Sequence, residues 1–99
     1  MRIQNRRRTR GPGFCLSGGY RYCGPGCSGP GEPINYVDYC CKKHDECLSE
    51  YGDSCRCDQV LIQCVESKLN NCTDEGKKAR LISRFMKFRM SMRCGRWVE

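Results

Sequence analysis

Two pairs of cysteines share one spacing, and that spacing constrains the chain more than any other feature. Cys40 and Cys47 are seven residues apart, and so are Cys57 and Cys64. Seven residues make about two turns of an α-helix. If residues 33–51 and 54–70 are helices, the short link at 52–54 makes them antiparallel neighbours. Cross-links between antiparallel helices keep a constant index sum, and Cys40–Cys64 and Cys47–Cys57 satisfy the same one. Two disulfides would then rivet the pair at two levels. Local signals agree with this reading. Asn35 is a plausible N-cap with Asp38 three positions on, Gly52 suits the C′ position, and Asp53 or Ser54 can cap the second helix. The inward stripes would be Val37, Cys40, Cys41, His44, Cys47 or Leu48, and Tyr51 on the first helix, and Cys57, Leu61, Cys64, Val65 and Leu69 on the second.

At 99 residues there is room for a single domain, and the 38% of hydrophobic residues includes the cysteines themselves. A core this thin needs staples, and eleven cysteines supply them. Such density implies an oxidising environment, hence secretion or another form of export. Thiolate zinc sites use paired C-x2-C knuckles or closely spaced histidines. The chain has Cys40-Cys41, one Cys55-x-Cys57 and one histidine, which fit that geometry poorly. The odd count leaves at least one thiol free or bonded to another chain. Residues 2–10 are too polar for the apolar core of a secretory signal, and no run approaches the roughly 20 apolar residues of a membrane span.

Charge is sorted along the chain. Residues 1–31 hold six Lys/Arg and no acids, 32–75 hold four bases and ten acids, and 76–99 hold eight bases and one acid. Basic ends suit an anionic partner. Residues 1–13 end in Gly11-Pro12-Gly13 and are expected to form a mobile basic arm. Residues 71–76 should form a turn, and Asn71-Cys72-Thr73 within it fits the glycosylation sequon, a weak motif. Residues 77–94 suggest a third helix, with Leu81, Phe85, Phe88 and Met92 on one stripe flanked by Ile82 and Met86. Its other faces carry Lys77, Lys78, Arg84 and Lys87, among other bases. Such a helix can cap the helix pair or lie at a lipid surface. Nucleic acid is a poorer fit, because the aromatics are not interleaved with the bases. Nothing in the sequence calls for an obligate protein partner. The expected class is all-α and disulfide-stapled.

Residues 14–33 contain six glycines and three prolines, which exclude a helix or sheet interior. Cys15, Cys23 and Cys27 pin this loop, so its backbone is placed to approach something closely. Its carbonyls could converge on a hard cation or its amides on an anion. No Gly-Lys-Ser/Thr follows, which removes the phosphate-cradle reading. Beyond the loop lies the only histidine, His44, followed at once by Asp45. It sits on the inward stripe between the two expected rivets, opposite Asp58 on the facing helix. That carboxylate could reach an imidazole nitrogen, or it could be a first-turn acid favoured by the helix dipole.

Together these residues resemble a known family. The string Tyr22-Cys23-Gly24-Pro25-Gly26, then Pro33-x-Asn35-x-x-Asp38-x-Cys40-Cys41-x-x-His44-Asp45-x-Cys47, is similar to the calcium loop and active-site helix of secreted phospholipase A2. Cys55-Arg56-Cys57-Asp58 with Cys64 is similar to that family's second long helix. The resemblance implies that the carbonyls of Tyr22, Gly24 and Gly26 and the carboxylate of Asp45 bind Ca2+. It implies that His44 is general base to a water, that Asp58 orients the ring, and that the Gly24 amide helps hold the oxyanion. It also implies a Cys23–Cys41 bond beside the two already selected. The substrate would be membrane phospholipid; separately, the basic amphipathic pattern of residues 77–94 suggests that Lys77, Lys78, Arg84, Lys87, Phe85 and Phe88 would meet an anionic surface.

There are departures from the family pattern. The loop is two residues longer than the common form, with Cys27 where a second glycine is usual. Leu48 stands where a tyrosine normally supports the aspartate, and Tyr51 is the candidate replacement. Residues 52–54 leave no room for a β-wing, so Cys55 lacks its usual partner. Nothing before Cys15 resembles the family's N-terminal helix. In these respects the chain is closer to the minimal viral-capsid-type members. The chemistry is consistent: ester hydrolysis needs a base with pKa near neutrality, which only His44 supplies unperturbed. No serine has the G-x-S-x-G setting, so water is the expected nucleophile. The rival expectation is a non-catalytic basic protein of the same fold that disrupts membranes or binds a receptor.

Overall fold

A computed structural model describes residues 14–52 and 54–94. The expected basic arm over 1–13, and Asp53 as a candidate cap, lie outside the described residues. The fold is all-α: α1 (Tyr36–Tyr51), α2 (Ser54–Glu66) and α3 (Asp74–Arg93) follow a glycine-rich loop, with no strand among the described residues. No described helix is long and apolar enough to cross a membrane.

α1 and α3 begin where the sequence offers a cap. Asn35 accepts a hydrogen bond from the Asp38 amide at 2.9 Å, and Gly52 closes α1 in the left-handed conformation at φ 72°, its amide donating to the Leu48 carbonyl. The start of α3 precedes the expected residue 77, because the Thr73 hydroxyl accepts from the Gly76 amide at 3.0 Å. Asp74 and Glu75 then occupy the first turn, where the helix dipole favours acids. Glu75 also reaches across to accept from the Val37 amide at 3.2 Å, so one carboxylate serves the N-termini of two helices. α2 stops at Glu66 rather than near residue 70, and Leu69, expected on its inward stripe, is exposed. The chain leaves α2 by a tight turn in which the Lys68 amide donates to the Val65 carbonyl.

Five disulfides hold these elements. Cys40–Cys64 and Cys47–Cys57 join α1 to α2, and Cys23–Cys41 ties the loop to α1. Cys15–Cys27 closes the loop on itself, and Cys55 pairs with Cys94 at the end of α3, while Cys72 is free and exposed. Ten of the eleven thiols are therefore consumed in disulfides.

The packing of α3 departs from expectation. Its buried face is Ala79, Ile82, Ser83, Met86 and Met90, against Val37, Leu61, Ile62 and Val65. Leu81, Phe85, Phe88 and Met92 point outward, each more than half exposed. Both sets recur at helical spacing, so periodicity alone cannot choose between them. The choice is made by tertiary ties. Ser83 Oγ donates to Glu66 Oε2 at 2.8 Å, Lys87 Nζ donates to the same oxygen at 2.7 Å, and Cys94 is bonded to Cys55. Tyr51, also expected inward, is 73% exposed at the open end of α1.

The loop is organised by a buried carboxylate. Asp38 is fully buried. Its Oδ1 accepts from the amides of Tyr22 at 2.8 Å and Arg21 at 3.2 Å, and its Oδ2 from Ile34 at 3.0 Å and Arg21 at 3.2 Å. Three backbone donors drawn from the loop and the approach to α1 therefore converge on one side chain. Asp38→Ala strands those amides in the interior and should lower stability by roughly 3 kcal/mol. Urea unfolding with the disulfides intact is the measurement that checks it.

Candidate active site

His44 and Asp58 face one another between the two disulfide levels. His44 Nε2 lies 2.6 Å from Asp58 Oδ1, with the aspartate side chain 2% and the histidine side chain 11% exposed. An ionised carboxylate can only accept, so Nε2 carries the proton and donates. Nδ1 is then the ring nitrogen without a proton, free to accept one. Asp58 is therefore an interior group; α2 begins at Ser54, so the acid lies beyond the first turn and is not the solvated first-turn acid that the sequence also allowed. Arg89 of α3 brings its Nε within 3.8 Å of Asp58 Oδ2.

One cavity of about 480 Å³ collects the parts. His44, Asp45, Tyr22, Gly24 and Gly26 line it together with Leu16, Leu61, Leu81, Phe85 and Arg89. The loop backbone alternates. The carbonyls of Arg21, Cys23 and Pro25 accept from the amides of Gly29, Leu16 and Phe14 respectively. Those of Tyr22 and Gly26 accept no hydrogen bond from the described residues, and that of Gly24 accepts only from the Cys27 amide at 3.0 Å, leaving a lone pair. The turn that produces this alternation needs glycine: Gly24 has φ 129° and Gly26 φ 74°, and a Cβ at Gly24 would run into the Phe14 carbonyl.

Asp45 completes the group. Its Oδ2 is buried and has no hydrogen-bond partner among the described residues. Burial, with the negative charges of Asp38 and Glu46 adding to it, pushes the carboxyl up from its usual 3.8 to about 6. A starved carboxylate beside free carbonyl oxygens is the donor set of a hard, oxygen-seeking cation. No group of three or more His, Cys, Asp or Glu side chains that could hold a metal exists among the described residues. A site of this kind would draw on backbone oxygen and one acid.

The expected surface residues divide. Phe85, Phe88, Lys77 and Arg84 are exposed. Lys78 is turned in, its side chain 14% exposed and paired with Asp74 at 2.8 Å, and Lys87 is engaged with Glu66. Sequence reasoning missed Asp38 as the loop's organiser and Arg89 as a neighbour of Asp58. The first was visible only as a capping acid and the second only as one base among many.

Residues 14–89 match the family model described as a phospholipase A2-like domain. The chain belongs to that family. It is 40% identical, over 68 residues covering 60% of it and 43% of the relative, to an acidic phospholipase A2 homolog, the taipoxin gamma chain of Oxyuranus scutellatus scutellatus. It is 30% identical to phospholipase A2 AP-PLA2-I of Acanthaster planci over 80 residues, 78% of this chain and 49% of the relative. It is 35% identical to basic phospholipase A2 nigroxin A of Micrurus nigrocinctus over 63 residues, 60% of this chain and 51% of the relative. The chain spans about half the length of these curated relatives. No solved structure matches it.

The raised Asp45 has a consequence for a phospholipase A2-like domain kept free of metal. Its folded pKa lies above the unfolded one, so the native state binds more protons between roughly pH 4 and 6, and ionisation costs stability as pH rises through that window. Asp45 is only partly buried, so solvent screening reduces what the shift is worth, and in chelator Asp45→Asn should stabilise the protein at neutral pH by roughly 1–2 kcal/mol. That gain should vanish below about pH 4. Calorimetric melts across the pH range check both halves.

Proposed function

We propose that the chain is a calcium-dependent phospholipase A2, cleaving the sn-2 ester of membrane glycerophospholipids to a lysophospholipid and a fatty acid. The observation that carries this reading is the shared cavity. A histidine with one nitrogen committed to a buried aspartate lines the same space as an unpartnered carboxylate and a carbonyl-bearing loop. Calcium would be held by Asp45 and the carbonyls of Tyr22, Gly24 and Gly26, and when bound it supplies Lewis-acid polarisation of the ester carbonyl.

The chain's own residues do the rest. His44 Nδ1 takes a proton from a water as the water oxygen attacks the ester carbon, and the imidazolium is steadied by Asp58. The Gly24 amide, which has no acceptor among the described residues, is available to the negative oxygen of the tetrahedral species. As the sn-2 C–O bond breaks, His44 returns the proton to the departing alkoxide. The apolar wall of Leu16, Leu61, Leu81 and Phe85 suits acyl chains.

Two of those wall residues also support a lipid-facing surface. Leu81 and Phe85 line the cavity yet are over half exposed, and they continue into Phe88 and Met92 along α3, beside Lys77 and Arg84. A bilayer of anionic phospholipid fits such a ridge. The disulfide complement supports a secreted or exported protein.

Fatty-acid release from phospholipid vesicles tests the reading, and chelating calcium should abolish it. His44→Gln should bind calcium normally by titration calorimetry without turnover, while Asp45→Lys should lose binding. Hydrolysis at full rate in chelator overturns the mechanism. Vesicle leakage without fatty-acid release favours the non-catalytic alternative expected from the sequence, a reading that the word "homolog" in one relative's name also supports. Phe88→Glu should weaken vesicle binding by roughly tenfold while leaving the melting temperature nearly unchanged, because its side chain is 64% exposed. Sedimentation with anionic vesicles measures it.

A further inference from the structure

We propose that Arg89 is a positioning residue for the catalytic pair, holding the Asp58 carboxylate so that Oδ1 stays in line with the ring of His44. The inference rests on the reading of His44 as the base. Asp58 is almost wholly buried and commits one oxygen to His44 at 2.6 Å. A carboxylate held by one hydrogen bond can still swing about its terminal torsion, which is soft. Its second oxygen meets Arg89 Nε at 3.8 Å, a charge contact beyond hydrogen-bond reach. Asp58 is buried and Arg89 is about two-thirds covered, so water screens this contact less than it would a surface pair. It places a permanent positive charge beside a carboxylate whose other oxygen is taken up by the imidazole.

The placement of Arg89 is enforced from both directions along α3. On one side, Ser83 and Lys87 converge on Glu66 Oε2. On the other, Cys94 is bonded to Cys55, three residues before Asp58. Arg89 falls between these two ties and lines the cavity with its side chain 32% exposed. The residues of α1 do not take this part. Leu48 presents an apolar chain to the cavity, and Tyr51 is exposed at the helix end. Support for the aspartate therefore comes from the third helix.

The test compares wild type with Arg89→Met and Arg89→Lys. In calcium-supplemented vesicle assays, Arg89→Met should lose about tenfold in kcat with KM within about twofold, and Arg89→Lys should recover much of the loss. His44 is the chain's only histidine, so its Nε2 proton can be followed by NMR without ambiguity. Exchange of that proton with water should accelerate several-fold in Arg89→Met and return towards wild type in Arg89→Lys. Unchanged exchange, or a loss confined to KM, overturns the proposal. The second result would assign the guanidinium to the lipid phosphate instead. If wild type releases no fatty acid, the proposed activity fails, and the exchange measurement still decides the placement of Arg89.

Discussion

A carboxylate shut away from water sets the terms for the rest of the molecule. Asp58 needs donors and charge brought to it, because burying an isolated carboxylate costs far more than a domain of this size can offset. The donor is on α1, at 2.6 Å, and the cation is on α3, at 3.8 Å. Three helices must therefore keep their relative rotation to within a fraction of a turn. Cys40–Cys64 and Cys47–Cys57 bracket the contact and prevent sliding of α1 on α2. Cys55–Cys94 does the same for α3, across the longest sequence separation of the five bonds, 39 residues, where a cross-link constrains the unfolded chain most.

Two acids on α1 show how environment divides one chemistry into two roles. Asp38 and Asp45 are two turns apart on the same helix. Three backbone amides meet Asp38, and it becomes the pin that shapes the loop. No donor meets Asp45 Oδ2, and the neighbouring negative charge of Asp38 adds to the strain of its burial. Saturating one carboxylate folds the loop across the other. The same fold leaves the Tyr22 and Gly26 carbonyls without partners from the described residues. In the proposed enzyme a cation at this point would relieve a cost that the apo fold carries, which couples metal binding to stability as well as to turnover.

What could be read in the sequence was what short-range physics determines. The capping of α1 by Asn35 and Gly52 depends on residues within a turn of the helix ends, and it is present in the structure. The Cys40–Cys64 and Cys47–Cys57 bonds depend only on two helices being adjacent and antiparallel, a relation set by the short link between Tyr51 and Ser54. What could not be read was long-range. The rotation of α3 is decided by Glu66 and by Cys55, and the same helical period fits its buried and its exposed apolar rows equally well. Nothing local distinguishes Arg89 from the other bases of that helix. Asp38 looked like a cap because a cap and a loop anchor ask for the same residue type at the same place.

The ambiguity of α3 has a physical origin in what the helix must do. A helix that only capped the core would place all its apolar residues on one face, and one that only met lipid would place them on the other. Here Ile82, Met86 and Met90 seal the interior, while Leu81 and Phe85 form the cavity's outer wall and pass into the exposed Phe88 and Met92. Arg89 stands at the seam between these rows, the position from which one side chain can reach Asp58 and still border the cavity. A chain with little core gains from such double use, because each turn of α3 contributes both to burial and to the cavity wall. The consequence is a helix whose amphipathic pattern is blurred for the same reason that it is useful.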